Sequence, residues 1–338
     1  MNTILLMTAT GAENLGDELI TLCEIKALRE KNTHTNIILF SHSPARTWRF
    51  FRSQNIAEKN LIILPYFPTN IRKNPLKNIV YFFQTLKVIR QSNHTYIGGG
   101  GLLYSISEEG HSPLRLWWMR AKIIKFFKKP LTYLSLGVST KKEELQKYAH
   151  GLFQGATITV RDTESQKKIQ EVGYKSSIKQ DPVFEYTFQK TKMTKNKHTI
   201  GMALRSGFLS DTLVKNIIQT LLKKNYHIIL LPHSLHPDDE KAHDGYYLQK
   251  FLLPGVSITQ TIEQTLAAYT MCDCIVGMRL HSIILASVGN IPLIAISYGA
   301  KTRAILREMG QNFLDAKEVT TENICQKIGS ILESKLVT

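Results

Sequence analysis

Cys272-Asp-Cys-Ile-Val-Gly277-Met-Arg279-Leu280-His281-Ser282 leads into Ile283-Ile-Leu-Ala-Ser-Val-Gly289-Asn-Ile-Pro292 and then into Leu293-Ile-Ala-Ile-Ser-Tyr298-Gly299-Ala-Lys301. The run reads as strand, turn, helix, strand, turn, helix, because short apolar stretches stop at glycine and each is followed by a longer apolar period or a charged start. That alternation is the pattern of a parallel sheet with helical crossovers. Arg279 and His281 fall where one helix must begin, and Lys301 falls at the start of the next. Ligands of open α/β sheets bind outside the carboxyl ends of the strands, so the two turns bring these side chains to one place. Two cations and an imidazole beside helix N-termini suit an anion, with a proton donor at hand. Taken singly, Arg279 could equally pair with a carboxylate and His281 could cap its helix; the second cation at the neighbouring strand end favours a site.

Working outward, 338 residues with 43% hydrophobic content make two domains rather than one. The boundaries read as an N-terminal Rossmann-like domain over 1–185, a Lys/Thr-rich linker over 186–197, and a second Rossmann-like domain over 198–338. The last helix, 321–334, is expected to cross back to the first domain. No window reaches the roughly twenty apolar residues of a membrane span, and the N-terminus lacks the basic start of a signal peptide, so a cytoplasmic chain is expected. The four cysteines have no metal-ligand spacing and read as buried thiols. The net charge of +16 calls for an anionic partner. No nucleic-acid motif or stacking platform accompanies it, which argues against nucleic acid and leaves phosphorylated metabolites, a polyprenyl diphosphate or an anionic membrane face.

In the first half, the strand from Thr3 ends in Gly11-Ala-Glu-Asn14-Leu-Gly16-Asp17-Glu18. Its spacing mimics a phosphate loop, but carboxylates stand where Lys and Ser/Thr should be and would repel phosphate. Asn14, Asp17 and Glu18 read instead as partners for sugar hydroxyls, with helix capping by Asp17 as the equal alternative. A strand at Thr95–Ile97 runs into Gly98-Gly99-Gly100-Gly101, whose backbone can approach a ligand or a helix. The helix from Pro113 carries Leu114, Trp117, Trp118, Ala121, Ile124 and Phe127 at helical spacing, a stripe read chiefly as a core face and less readily as membrane contact. Arg161 occupies another strand end, with Asp162 or Glu164 as its alternative partner. A strand over Lys179–Phe184 is expected to close this half. In the second half, Pro232-His233-Ser234 follows a strand and points His233 at the cleft, and a helix is expected to run on to Leu253.

Taken together, these segments resemble the polysaccharide pyruvyl transferase family. The ordered set is Gly11 to Glu18, Gly98 to Gly101, Arg161-Asp162-x-x-Ser165, Asp181-Pro182, Leu231-Pro232-His233-Ser234, Gly277-Met-Arg279-Leu280-His281-Ser282 and Tyr298-Gly-x-Lys301. The resemblance spans residues 1 to about 310. It implies an α/β fold of the GT-B type, in which two facing, doubly wound parallel-sheet domains leave a cleft between them. It also implies transfer from phosphoenolpyruvate to a sugar, forming a pyruvate ketal and releasing phosphate, with no cofactor and no metal. Its essential arginine matches Arg161, its catalytic histidine His281, its lysine Lys301, and its donor-recognition run Arg279, Leu280 and His281. On that footing Arg279, Lys301 and Arg161 bind the donor's anions and His281 delivers a proton. Asn14, Asp17, Glu18, Gly99, Gly100 and His233 are then expected on the acceptor side.

The expected acceptor is a sugar of a cell-surface polysaccharide or its polyprenyl-diphosphate-linked precursor, which would bring the chain to the inner face of the membrane. Two other readings stand beside this one. A nucleotide-sugar glycosyltransferase of the same architecture would need a ribose-binding carboxylate, for which Glu308 is the nearby candidate. A non-catalytic protein binding anionic polymer would explain the charge but not the strand-end cations.

Overall fold

In a computed structural model of the chain, residues 2–31, 33–68, 75–105, 113–188, 197–237, 239–240 and 243–334 are described, apart from the side chains of residues 300, 301 and 334. Two compact units result. Unit 1 comprises Met1–Ala12 and Asp17–Pro182, and unit 2 comprises Glu13–Gly16 and Val183–Thr338. The division after Pro182 falls three residues before the boundary expected at 185. The tetrapeptide Glu13–Gly16, expected in the first domain, belongs to the second. Most of the expected linker, residues 189–196, lies outside the described residues.

In unit 1, strands β1 (Thr3–Met7), β2 (Asn36–Ser41), β3 (Leu61–Pro65), β4 (His94–Tyr104), β5 (Leu131–Ser139), β6 (Thr157–Val160) and β7 (Ser177–Ile178) form one sheet in the order β3-β2-β1-β4-β5-β6-β7. Every pairing is parallel. The crossovers are helices α1 (Leu15–Lys31), α2 (Pro44–Ser53), α3 (Pro75–Gln91), α4 (Pro113–Phe126), α5 (Lys142–Phe153) and α6 (Thr163–Glu171). Central strands covered on both faces need continuous apolar runs, and Ile4 to Met7 are buried without alternation.

Unit 2 repeats the plan. Its strands are β8 (Thr199–Ala203), β9 (His227–Leu230), β10 (Val256–Ile258), β11 (Cys274–Gly277), β12 (Leu293–Ser297) and β13 (Phe313–Asp315), in the order β10-β9-β8-β11-β12-β13, again all parallel. Helices α7 (Asp211–Lys223), α8 (Asp244–Leu248), α9 (Ile262–Ala268), α10 (Leu280–Val288), α11 (Ala300–Glu308) and α12 (Thr321–Ser334) cover it. Each sheet reverses its winding once, between β1 and β4 in unit 1 and between β8 and β11 in unit 2. The carboxyl edge at such a reversal is where two crossovers diverge and a ligand can enter.

The structure departs from the sequence reading in several places. The strand expected over Lys179–Phe184 is a 3-10 turn at Pro182–Glu185, since proline cannot donate to a ladder. Of the helix expected to run to Leu253, the described residues from His243 on form α8 and a 3-10 turn at Gln249–Phe251. The glycine run lies inside β4, where Gly99 and Gly100 take φ of +72° and +76° and the register with β5 shifts. Of the stripe of α4, Leu114, Trp117, Ala121 and Ile124 are buried in the core of unit 1, and Trp118 and Phe127 pack against that core partly buried, so the core reading holds. Helix α12 stays with unit 2, where Ile324, Ile328 and Leu332 join that unit's core. Elements α2 and β13 went unread. All four cysteines are buried free thiols. Among the described residues no helix is long and apolar enough to cross a membrane.

Candidate functional site

Strands β8, β11 and β12 lie side by side in unit 2, and within two residues of their ends stand Arg205, Arg279 and Tyr298. Met278 extends β11 by one more bond, its N–H donating to the Ala203 carbonyl at 2.9 Å. Arg279 then stops the strand and starts α10, because its carbonyl accepts the N–H of Ser282 at 2.9 Å and of Ile283 at 3.2 Å. The Ser282 hydroxyl donates to the same oxygen at 2.6 Å.

The guanidinium of Arg279 is hydrogen-bonded through Nη2 to Oδ1 of Asp244, a residue 3% exposed at the start of α8. The other oxygen of that carboxylate accepts the N–H groups of His233 and Ser234, each at 3.0 Å. One buried anion thus fastens the turn after β9 to the arginine after β11. The expected alternative of a carboxylate partner therefore holds for Arg279, and it acts to fix the guanidinium, whose buried Nε has no hydrogen-bond partner among the described residues. Leu280 is half-buried in the first turn of α10.

His281, two residues on, is positioned by the inserted tetrapeptide. The Leu15 N–H donates to the His233 carbonyl at 2.8 Å, the Leu235 N–H donates to the Glu13 carbonyl at 2.9 Å, and Asn14 bridges Ser234. Asn14 also accepts the Gly16 N–H at 3.1 Å, capping the start of α1. The His281 ring lies directly on Gly16: a β-carbon there would fall 2.0 Å from Nδ1 and 2.5 Å from Cε1. The missing side chain of Gly16 is therefore what admits the ring.

His233 does not present its side chain as an acceptor contact. It is 2% exposed, and its Nε2 lies 2.7 Å from the Tyr269 hydroxyl. Burial first, then the charges of Arg279 and His281, hold its imidazole well below the ordinary histidine range. The group is a neutral, positioning core histidine. Lys301 begins α11, but its side chain lies outside the described residues.

A residue that sequence reasoning passed over stands at the end of β8. Arg205 donates to the Tyr298 hydroxyl at 3.1 Å and lies over the rings of Tyr298 and Phe208, at 5.3 and 5.6 Å. Its signal was available, since Ile200-Gly-Met-Ala-Leu-Arg205 has the same strand-then-arginine form as Cys274 to Arg279. Asp244 gave no such signal, being one of several acids in a polar loop.

In unit 1 the expected acceptor residues divide. Asp17 is half-buried, with Oδ1 3.2 Å from where a Gly100 β-carbon would stand, so its carboxylate lies on the glycine run. Gly99 packs on Ile20 of α1, leaving 1.8 Å to its Cγ2 for any β-carbon; close helix packing is the reason for glycine there. Glu18 is 1% exposed and turned inward, accepting the Gly11 N–H at 2.6 Å and the Thr10 hydroxyl. It closes its own loop and offers no surface to an acceptor. Arg161 follows β6 with its side chain 6% exposed; its Nε is 3.4 Å from Asp162 and its Nη1 3.3 Å from Asp181. The guanidinium rests on Gly137, where a β-carbon would be 2.8 Å from Nε.

A family model described as polysaccharide pyruvyl transferase matches residues 14–300. No curated protein matches the sequence. Among solved structures, the chain is similar to heptosyltransferase II of E. coli, which acts with ADP-heptose (11% identity, 99% of each chain covered, TM-score 0.55). It is also similar to the UDP-GlcNAc 2-epimerase of Neisseria meningitidis bound to UDP-GlcNAc (11% identity, 98% and 92% covered, TM-score 0.60). A glycosyltransferase of Rickettsia africae matches at 13% identity over 98% and 88% of the chains, with a TM-score of 0.59. At such identities the likeness establishes the fold, two parallel-sheet α/β domains of the GT-B type, and nothing about substrate.

Proposed function

Since the chain belongs to the polysaccharide pyruvyl transferase family, we propose that it takes phosphoenolpyruvate as donor and converts a sugar diol to a pyruvate ketal. The observation that carries this reading is Arg279 held by Asp244 at the reversal of the second sheet, with His281 seated against Gly16 two residues on. Arg205 on the neighbouring strand adds a second guanidinium at the same edge. A donor bearing a carboxylate and a phosphate needs such cations, and a fork-shaped guanidinium can grip either group through two bonds. By the resemblance seen in the sequence, Lys301 and Arg161 are proposed for the same task.

In the reaction, a proton adds to the methylene carbon of phosphoenolpyruvate as one sugar hydroxyl bonds to the adjacent carbon. That carbon's bond to the phosphate oxygen then breaks, inorganic phosphate leaves, and the second hydroxyl bonds in its place. Each hydroxyl gives up its proton: one replaces the proton spent on the methylene carbon and the other leaves on the phosphate as the hydrogen phosphate dianion, so no net proton is gained or lost. His281 as imidazolium is the acid for the first step, and a ring fixed on Gly16 gains in rate by orientation. Asp17, over the glycine run, is the acidic group proposed for the sugar hydroxyls, with Asn14 beside it in sequence.

The test is thermal stability with phosphoenolpyruvate against a panel of nucleotide-sugars, for the native chain, Arg205→Ala and Arg279→Lys. A saturable rise with phosphoenolpyruvate that both variants lose is the expected result, about 2.7 kcal/mol at a hundredfold excess over Kd. A rise with nucleotide-sugars alone would replace this reading by glycosyl transfer.

A further inference from the structure

We propose that helix α3 is a docking face for an anionic phospholipid bilayer. This surface lies outside the donor chemistry and does not depend on it. Four large apolar side chains of α3 are exposed: Leu76 (77%), Ile79 (55%), Val80 (63%) and Phe83 (63%). Their spacing of three and four places them on a single stripe about two turns long. Isolated exposed hydrophobics are ordinary on any protein, but a contiguous stripe marks a contact surface.

The rotation of the helix strengthens the point. Within those turns the buried residue is the polar Asn78, whereas Val88 and Ile89 of the last turns, with Thr85, are the ones that pack inward. A helix serving only to cover a sheet would turn its apolar side in and its polar side out. In the first two turns of α3, by contrast, the fold leaves the apolar residues outside, and only the last turns follow the ordinary rule.

Charge identifies the occupant. The helix Pro75–Gln91 carries Lys77, Lys87 and Arg90 and no acidic residue, in a chain of net charge +16. Lys87 and Arg90 continue the apolar stripe into the last turns, and both are exposed. Apolar residues on one face with lysine and arginine at its margin and end match a bilayer, where acyl chains take the first and lipid phosphates the second. A second copy of the chain fits poorly, because a two-fold contact would set these cations against one another with no acid to receive them.

Its place in the fold gives the contact a use. As the crossover between parallel strands β3 and β4, α3 runs antiparallel to them, so its apolar turns lie at the carboxyl edge of the unit 1 sheet. That edge carries Asp17 and the glycine run. On α4, singled out from the sequence for its tryptophans, Trp117 is buried in the core and Trp118 packs against it.

The experiment is co-sedimentation of the full chain with vesicles of phosphatidylcholine alone and of equal parts phosphatidylcholine and phosphatidylglycerol. The chain is expected to pellet with the anionic vesicles. Ile79→Ser combined with Phe83→Ser, which preserves every charge, is expected to weaken that binding by about tenfold or more. Phe126→Ser, at an 80% exposed site on another helix, is expected to leave it unchanged. The proposal is overturned if the native chain stays in the supernatant, or if the double variant pellets as well as the native chain, since charge alone would then suffice. It is likewise overturned if gel filtration shows a native dimer that the double variant abolishes, which would assign the stripe to a second copy.

Discussion

At the scale of single residues, the active arrangement depends on what is missing as much as on what is present. Gly16 has nothing to put between the α1 backbone and the His281 ring, and a β-carbon 2.0 Å from Nδ1 leaves the imidazole no room. Gly16→Ala is expected to keep the fold while displacing the ring, and to lower kcat by about a hundredfold, the cost of misplacing a catalytic group by roughly 1 Å. Phosphate release from phosphoenolpyruvate and acceptor measures it, with melting temperature as the control for folding. His233 supplies a pH dependence whose sign follows from its environment. Its imidazole is held below the ordinary value of 6.5 by burial, Arg279 and His281, so the unfolded chain binds the proton first as pH falls. Stability from this group is thus present above about pH 6.5 and lost progressively below it, with a slope of at most about 1.4 kcal/mol per pH unit. His233→Gln, which can still pair with Tyr269 but does not titrate, is expected to flatten that part of the curve in urea unfolding at stepped pH.

At the scale of elements, two glycines of similar sequence context have opposite reasons for being there. Gly99 takes φ of +72° and lies 1.8 Å, at its β-position, from Ile20 of α1. Gly299 precedes α11 at φ of −168°, extended backbone that any residue adopts, with nothing within 4 Å of its β-position. Gly99→Ala combines a left-handed backbone with a clash and is expected to cost about 2–4 kcal/mol, whereas Gly299→Ala should fall within about 0.5 kcal/mol. Denaturant midpoints of the two variants separate the cases. Strand β4 and helix α1 are consequently held together by close approach, and that approach brings Asp17 onto the glycine backbone. The buried chain of hydroxyls from Thr10 through Thr47 to Ser41, ended by Glu18, fixes the loop on the other side.

At the scale of the whole molecule, each unit closes its own core. In unit 2 the last element does much of that closing, because α12 contributes Ile324, Ile328 and Leu332, none more than 2% exposed. Three such side chains are worth roughly 5–9 kcal/mol of burial together, comparable to the entire stability of a domain. A chain ending at Thr320 is therefore expected to lose the cooperative unfolding transition of unit 2. Circular dichroism during thermal unfolding would show it as lost helical signal at temperatures where the native chain is folded.

What the sequence determined by itself is local in origin. Apolar runs broken by glycine, alternating with helical periods, specify two parallel-sheet units, because strand and helix periods are set by neighbours in the chain. The strand-end positions of Arg161, Arg279 and His281 follow from the same punctuation. Tertiary structure decided which polar groups are consumed by the fold. Glu18 and His233 read as ligand contacts yet are buried among partners near and far in the chain, and Asp244, thirty-five residues from Arg279, holds that arginine in place. It also decided that Glu13–Gly16 joins the second unit, and that the first turns of α3 show their apolar residues while the Leu114-to-Ile124 stripe of α4 is covered. The reason is physical: periodicity states that a helix has an apolar side, but only the elements packed around it settle whether that side is covered.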